Sequence, residues 1–345
     1  MIIIFLILGI AVIIVIHELG HFLAAKFFKV RVEEFGFGFP PRLASVTRGE
    51  TRYSVNALPF GGFVRLYGES SLDEIQTAPD RDRGFLSQSA RRRTAIIAAG
   101  VIMNFILGWF LLSLVFSIGS PPALLISGIA PGSPAAEAGI LAGDIIQKFS
   151  AADDFIAAVN ENKGVVMEIV IRREGSGAEG EKRFTVEPRV LPPPGEGALG
   201  VIISETGIPK TPFPGSVIKA LTVSGAAVFE ILKALYQFIA GLFSGQGAAE
   251  QFVGPVGIFS VADQLSRLGP LYVIQLLALI SLNLSVLNIL PIPALDGGRL
   301  LFMVIEKIRG VRIAPHRESL AHAIGFIILI LLMVTLTVRD ITNLL

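Results

Sequence analysis

The sequence predicts a polytopic α-helical membrane protein with about four transmembrane helices, a β-hairpin element held against the membrane and one inserted α+β domain. Three observations carry this. The 345 residues are 52% hydrophobic and only 17% charged, against about 25% charged in an ordinary soluble domain, and the mean hydropathy is +0.68. Four apolar runs are long enough to span a bilayer, Ile2–Ala25, Thr94–Ile118, Tyr272–Leu290 and Leu320–Val338. Between the second and third lies a polar stretch of mixed strand and helix pattern. Net charge is +1, which gives no case for nucleic-acid binding. There is no cysteine, so a metal site must use histidine and carboxylate.

The first span opens the chain. It resembles a signal peptide in apolarity but lacks a basic leading region and a small-residue cleavage site. It ends in His17-Glu18-Leu19-Gly20-His21. Residues i and i+4 share a helical face, so His17 and His21 can bind one ion, and Glu18 can reach a metal-bound water as general base. With this composition the H-[DE]-x-x-H pattern arises by chance about 0.004 times per chain. Ionisable groups are costly in lipid, and a metal is the simplest compensation for three of them in five residues.

Residues 30–70 follow. Val30–Phe39 and Arg52–Leu66 alternate β-branched, aromatic and polar residues with Gly and Pro between them, which predicts β-hairpins. Asp73–Ser89 reads as an exposed polar loop. Positive residues flank three span ends: Lys26, Lys29 and Arg31; Arg91 to Arg93; and Lys307, Arg309, Arg312 and Arg317. The positive-inside rule places these in the cytoplasm and residues 119–270 outside. The apolar stretch Ser216–Phe243 carries Lys219, Glu230 and Lys233. A fifth crossing there would move Asp296 to the side opposite His21, so the stretch is read as an amphipathic helix on the outer surface.

The expected divisions are 1–118 (first membrane core), 119–204 (α+β domain), 205–270 (surface helix) and 271–345 (second membrane core). In the second division a strand-turn-helix-turn-strand pattern runs from Ile126 to Ile146. A helix is expected near Asp153–Asn162, and strands at Val165–Arg172 and Lys182–Val190.

A zinc enzyme usually has three protein ligands and a water. Asp296 is the outstanding third candidate: Pro291 and Pro293 break the third span and set it on an irregular turn at the depth of His21. The same Asp before Gly-Gly reads equally as a turn or cap residue. His316 and His322 are rivals, in a polar linker and at the start of the last span.

These residues resemble a known family. His17–His21, Ala57–Val64, Ala99-Gly100 with Asn104, Gly254-Pro-Val-Gly257, and Ser281-Leu-Asn283 through Leu295-Asp296-Gly297-Gly298 are similar to the bacterial site-2 proteases. These are intramembrane zinc metalloproteases with an extracytoplasmic PDZ domain. The resemblance implies one catalytic Zn2+ on His17, His21 and Asp296, with Glu18 as base. It sets Asn283 and Asn288 near the site, Asn288 toward the substrate backbone or developing oxyanion. An interhelical hydrogen bond explains that Asn as well. It makes Phe60, Gly61, Gly62 and Phe63 part of a β element that receives substrate as an added strand; a plain glycine-containing hairpin is the bland alternative.

Residues 122–190 resemble a PDZ domain through Pro131–Ala135 and Ala138–Asp144. They depart from it where a shortened Gln147–Asp154 replaces the usual Asn-Gly turn. Excluding substrates with bulky external domains needs no intact peptide groove. The expected partners are lipid and single-span membrane proteins, such as anti-sigma factors or remnant signal peptides, in the bacterial inner membrane, with the site toward the cytoplasm. Two rival classes remain: a non-catalytic scaffold binding exported peptides, and a metal transporter. The single clustered site counts against the latter.

Overall fold

The computed structural model describes residues 2–69, 80–173, 181–244, 254–311 and 313–344. They form two compact units, one of residues 1–113, 217–263 and 272–345, the other of residues 114–216 and 264–271. The helices mainly in the first unit are α1 (Ile2–Phe27), α2 (Ala90–Ile118), α5 (Gly215–Ser244), α6 (Pro255–Leu268), α7 (Pro270–Ile289), α8 (Asp296–Arg309) and α9 (Pro315–Leu344); α2, α5, α6 and α7 share end residues with the second. Five of these, α1, α2, α5, α7 and α9, are long and apolar enough to cross a membrane. The fifth is α5, the stretch read from sequence as a surface helix; it is the least apolar of the five.

Small and hydroxyl residues let the helices of this unit approach. Ser281 and Ser285 of α7 donate to the carbonyls of Asn104 and Val101 on α2, at 2.7 and 2.9 Å. A Cβ on Gly108 would meet Leu282 at 2.6 Å. Without a hydrophobic driving force between lipid-facing helices, such contacts supply the association.

The hairpin is larger than its two strands suggest. β1 (Val32–Arg48) and β2 (Thr51–Leu66) each pair twice. Phe35 faces both Tyr53 and Val64, and Gly36 faces both Ser54 and Phe63. The segment 32–39 is therefore central, with 51–58 on one side and 62–66 on the other, and 42–48 lies outside 51–58. The break in β2 falls at Gly61, whose φ of +94° suits a residue without Cβ. The segment Gly62–Leu66 is thus a sheet edge, which a zigzag pattern along one strand cannot reveal.

The loop reading of 73–89 needs correction at its end. Positions 73–79 lie outside the described residues, but Phe85 and Gln88 are buried. Phe85 packs with Ala25, Val30 and Ile96, because an aromatic next to a membrane core gains more from burial than a polar loop loses. At the tip, Glu50 accepts from Arg83 and Lys26, at 2.6 and 2.9 Å. These cations hold its carboxyl below the usual range, Arg83 most strongly.

Asp340, near the end of α9, accepts from the backbone N–H of Gly257 at 2.8 Å and of Gly254 at 3.3 Å. It thereby satisfies donors at the start of α6 that have no helical partner. The Gly-Pro-Val-Gly stretch has a local reason: a Cβ on Gly254 would lie 2.5 Å from the Asp340 carboxylate. Replacing Asp340 by Ala is expected to cost about 1–3 kcal/mol, read as a lower midpoint of thermal unfolding in detergent. An unchanged midpoint would refute this account.

The second unit is a five-stranded antiparallel sheet in the order β6-β5-β4-β3-β7. Its strands are β3 (Ser120–Ile129), β4 (Ile145–Ile146), β5 (Met167–Arg172), β6 (Glu181–Val186) and β7 (Val201–Ile208), with helices α3 (Pro134–Glu137) and α4 (Ala152–Glu161). Leu124, Ile126, Ile146, Ile171, Phe155 and Leu199 fill its core. The buried Asp144 takes both oxygens to Arg173, at 2.7 and 2.6 Å. Glu205 on the edge strand β7 accepts from the Ala152 N–H that begins α4, at 2.6 Å.

Candidate metal centre

α1 carries His17 and His21 one turn apart, and their Nε2 atoms lie 3.2 Å from each other. Asp296 Oδ2 lies 3.0 Å from His17 Nε2 and 3.4 Å from His21 Nε2. A tetrahedral zinc with ligand bonds of 2.0–2.1 Å separates its donor atoms by roughly 3.3 Å, so all three spacings match. Among the described residues, this is the one group of His, Cys, Asp and Glu side chains close enough to share an ion. Asp296 Oδ2 is buried with no donor aligned to it, an orphaned acceptor that a cation would satisfy. Burial alone raises the Asp296 carboxyl, but the two imidazoles outweigh it and hold the group below the usual range.

Each ligand is oriented by something behind it. His21 Nδ1 lies 2.9 Å from the Ile96 carbonyl; donation there leaves Nε2 free for a metal. Asp296 is the first residue of α8 and the N-cap is Leu295, so Asp296 does not cap and its turn is helical rather than irregular. Gly297 and Gly298 are required beneath it, since Cβ atoms there would lie 2.0 Å from the Leu290 carbonyl and 2.5 Å from that of Ile292.

The other expected residues divide. Glu18, Gly62 and Phe63 line one cavity of about 930 Å³ with His21 and Asp296. A Cβ on Gly62 would come 2.9 Å from Glu18 Cγ, so the sheet edge runs directly beside that carboxylate. Gly61 marks the strand break, and Phe60 lies on β2 with its side chain outside the described residues. Asn288 Nδ2 is 3.5 Å from His17 Nε2. Asn283 is exposed and lies about 160° round α7 from Ser285, so it is not brought to the cluster. Both rival ligands, His316 and His322, line the cavity wall, and His322 accepts from the Ala294 N–H at 2.8 Å.

Sequence reasoning gave no role to Gly100, although a Cβ there would lie 2.4 Å from His21 Nε2. It also missed Arg299, which pairs with Glu69. The Glu69 carboxylate raises the Arg299 guanidinium further, keeping a fixed cation in the cavity wall. Arg299 carried a signal, being one turn beyond Asp296 on the same helix.

Two histidines on an apolar helix and a carboxylate at tetrahedral spacing from both, with a glutamate beside them, define a membrane-embedded zinc metallopeptidase. Comparison with known proteins agrees. The model of peptidase family M50 matches residues 5–332, and the chain belongs to that family, the site-2 proteases. It is 32% identical to a candidate zinc metalloprotease of Clostridium acetobutylicum, over 97% of this chain and 96% of the relative. It is 29% identical to the regulator of sigma-W protease RasP of Bacillus subtilis, over 95% of each. Zinc metalloprotease RasP of Oceanobacillus iheyensis is also 29% identical, over 98% of each. The chain is a metalloendopeptidase of the intramembrane type.

Proposed function

We propose that this chain hydrolyses peptide bonds within or near the transmembrane segment of single-span membrane proteins, using one zinc ion held by His17, His21 and Asp296. The observation that carries this reading is the set of donor-atom spacings of 3.0, 3.2 and 3.4 Å in a cavity that also holds Glu18. Zinc, when bound, supplies Lewis acidity that makes water nucleophilic near neutral pH and polarises the scissile carbonyl. Glu18 takes the proton of the attacking water and returns it to the leaving amine. Asn288, beside His17, donates its amide N–H to the developing oxyanion.

A helical substrate exposes no peptide bond until it is unwound. The edge Gly62–Leu66 offers unpaired backbone groups to an extended segment, and the closeness of Gly62 to Glu18 supports reading this edge as the substrate strand. The charge pattern supports an active site toward the cytoplasm, with both termini, the α+β unit and a surface-lying α5 on the other side. The α+β unit then excludes substrates that still carry a large external domain.

The test is cleavage of a panel of single-span substrates by purified protein in detergent, before and after a strong chelator. Activity that disappears on chelation and returns with one equivalent of zinc is expected. Cleavage that survives complete zinc removal would overturn the reading. The edge makes a second prediction: Gly62→Ala, which presses on Glu18, lowers kcat about 10-fold with zinc content unchanged. Unchanged kcat would separate this edge from the reaction.

A further inference from the structure

We infer that His322 is a positioning residue for the metal centre, acting on Asp296 through the backbone of Ala294; this rests on the metalloprotease reading above. A ligand carboxylate must be held to within about 0.5 Å, and Asp296 follows directly from the broken segment between α7 and α8. Within that segment Ala294 has φ +83°, a left-handed conformation that a residue with a Cβ keeps only when its surroundings hold it. The holding contact comes from another helix. His322 of α9 accepts the Ala294 N–H on Nδ1 at 2.8 Å.

The imidazole is itself wedged. Its ring lies 5.6 Å from that of Phe302 on α8, at 60°. Three residues on, a Cβ on Gly325 would sit 2.3 Å from the Pro293 carbonyl, so α9 closes on the residue before Ala294. His322 therefore touches both parts of the chain that carry Asp296, the segment before it and the helix that starts with it. An accepting Nδ1 puts the proton on Nε2. That nitrogen is buried with no hydrogen-bond partner among the described residues, and Glu318 Oε1 is 3.9 Å away. The contact with Ala294 is then the ring's polar task.

The experiment compares wild type, His322→Ala and His322→Asn for zinc affinity by competition with a chromogenic chelator, and for kcat and KM on one single-span substrate. Asn keeps an acceptor, Oδ1, branching from Cγ as Nδ1 does. The expected result is zinc affinity about 10–100-fold weaker in His322→Ala, with lower kcat and little change in KM, and recovery to within about threefold in His322→Asn. Zinc bound by His322→Ala as tightly as by wild type overturns this inference alone. Equal loss in both variants also overturns it, since packing rather than the acceptor would then matter. A wild-type chain that binds no zinc removes the metalloprotease reading and this inference with it.

Discussion

Glu18→Gln is expected to lower kcat by about 10²–10⁴-fold, the usual worth of a positioned general base, while zinc binding is retained. The separation is the informative part. Glu18 lies outside the group of donor atoms that can share an ion, yet it lines the same cavity as His21 and Asp296. The amide is nearly isosteric, so packing against Gly62 is preserved and only the capacity to take a proton is lost. Measured together, zinc content and single-turnover cleavage distinguish the outcomes. A variant that holds zinc and cleaves normally would dismiss Glu18 as the base. Wild type and variant both inactive, with no zinc in either, would instead favour the scaffold alternative. Asp296→Asn should behave in the opposite way, losing the metal first, because a neutral amide is a poor ligand where an anion is needed.

Gly100→Ala has the second large expected effect, and it separates a site defect from a folding defect. Ala is the better helix former, so α2 gains local stability. The added methyl nevertheless falls 2.4 Å from His21 Nε2, 2.6 Å from His21 Cε1 and 2.9 Å from His17 Cε1. Gly20 of α1 packs against the Ala99 carbonyl of α2, where a Cβ would be 2.4 Å away, so parting the helices gives up this close packing. The rings must therefore turn. Overpacking of this kind costs about 1–3 kcal/mol, which corresponds to roughly 5–150-fold in metal affinity. The expected observation is weakened zinc binding and matching loss of cleavage, with helicity by circular dichroism equal to wild type. Full zinc affinity in Gly100→Ala would show that the ligand rings have room that the structure denies them.

The same two sites show what could be read along the chain. His17, Glu18 and His21 were legible because helical periodicity is local: three positions within five residues fix a shared face before any tertiary contact exists. Asp296 was legible as a candidate through its neighbours Pro291, Pro293, Gly297 and Gly298, but from spacing alone a turn residue explained it equally. The doubled pairing of β1 and β2 was hidden, since alternation says that a segment is a strand and not which strands flank it.

The apolar helices, the absence of thiolate ligands, and two histidines with a glutamate on one helix can all be read along the chain. All three follow from composition and from periods of a few residues. Three-dimensional packing sets Asp296 Oδ2 at tetrahedral spacing from both imidazoles, makes Gly62–Leu66 an edge beside Glu18, and brings Gly100 against His21 and His322 against Ala294. The physical reason is the same in each case. These are contacts between residues from 28 to almost 280 positions apart, and their distances depend on how closely helix backbones approach. That approach is set by small residues and single hydrogen bonds that no local pattern encodes.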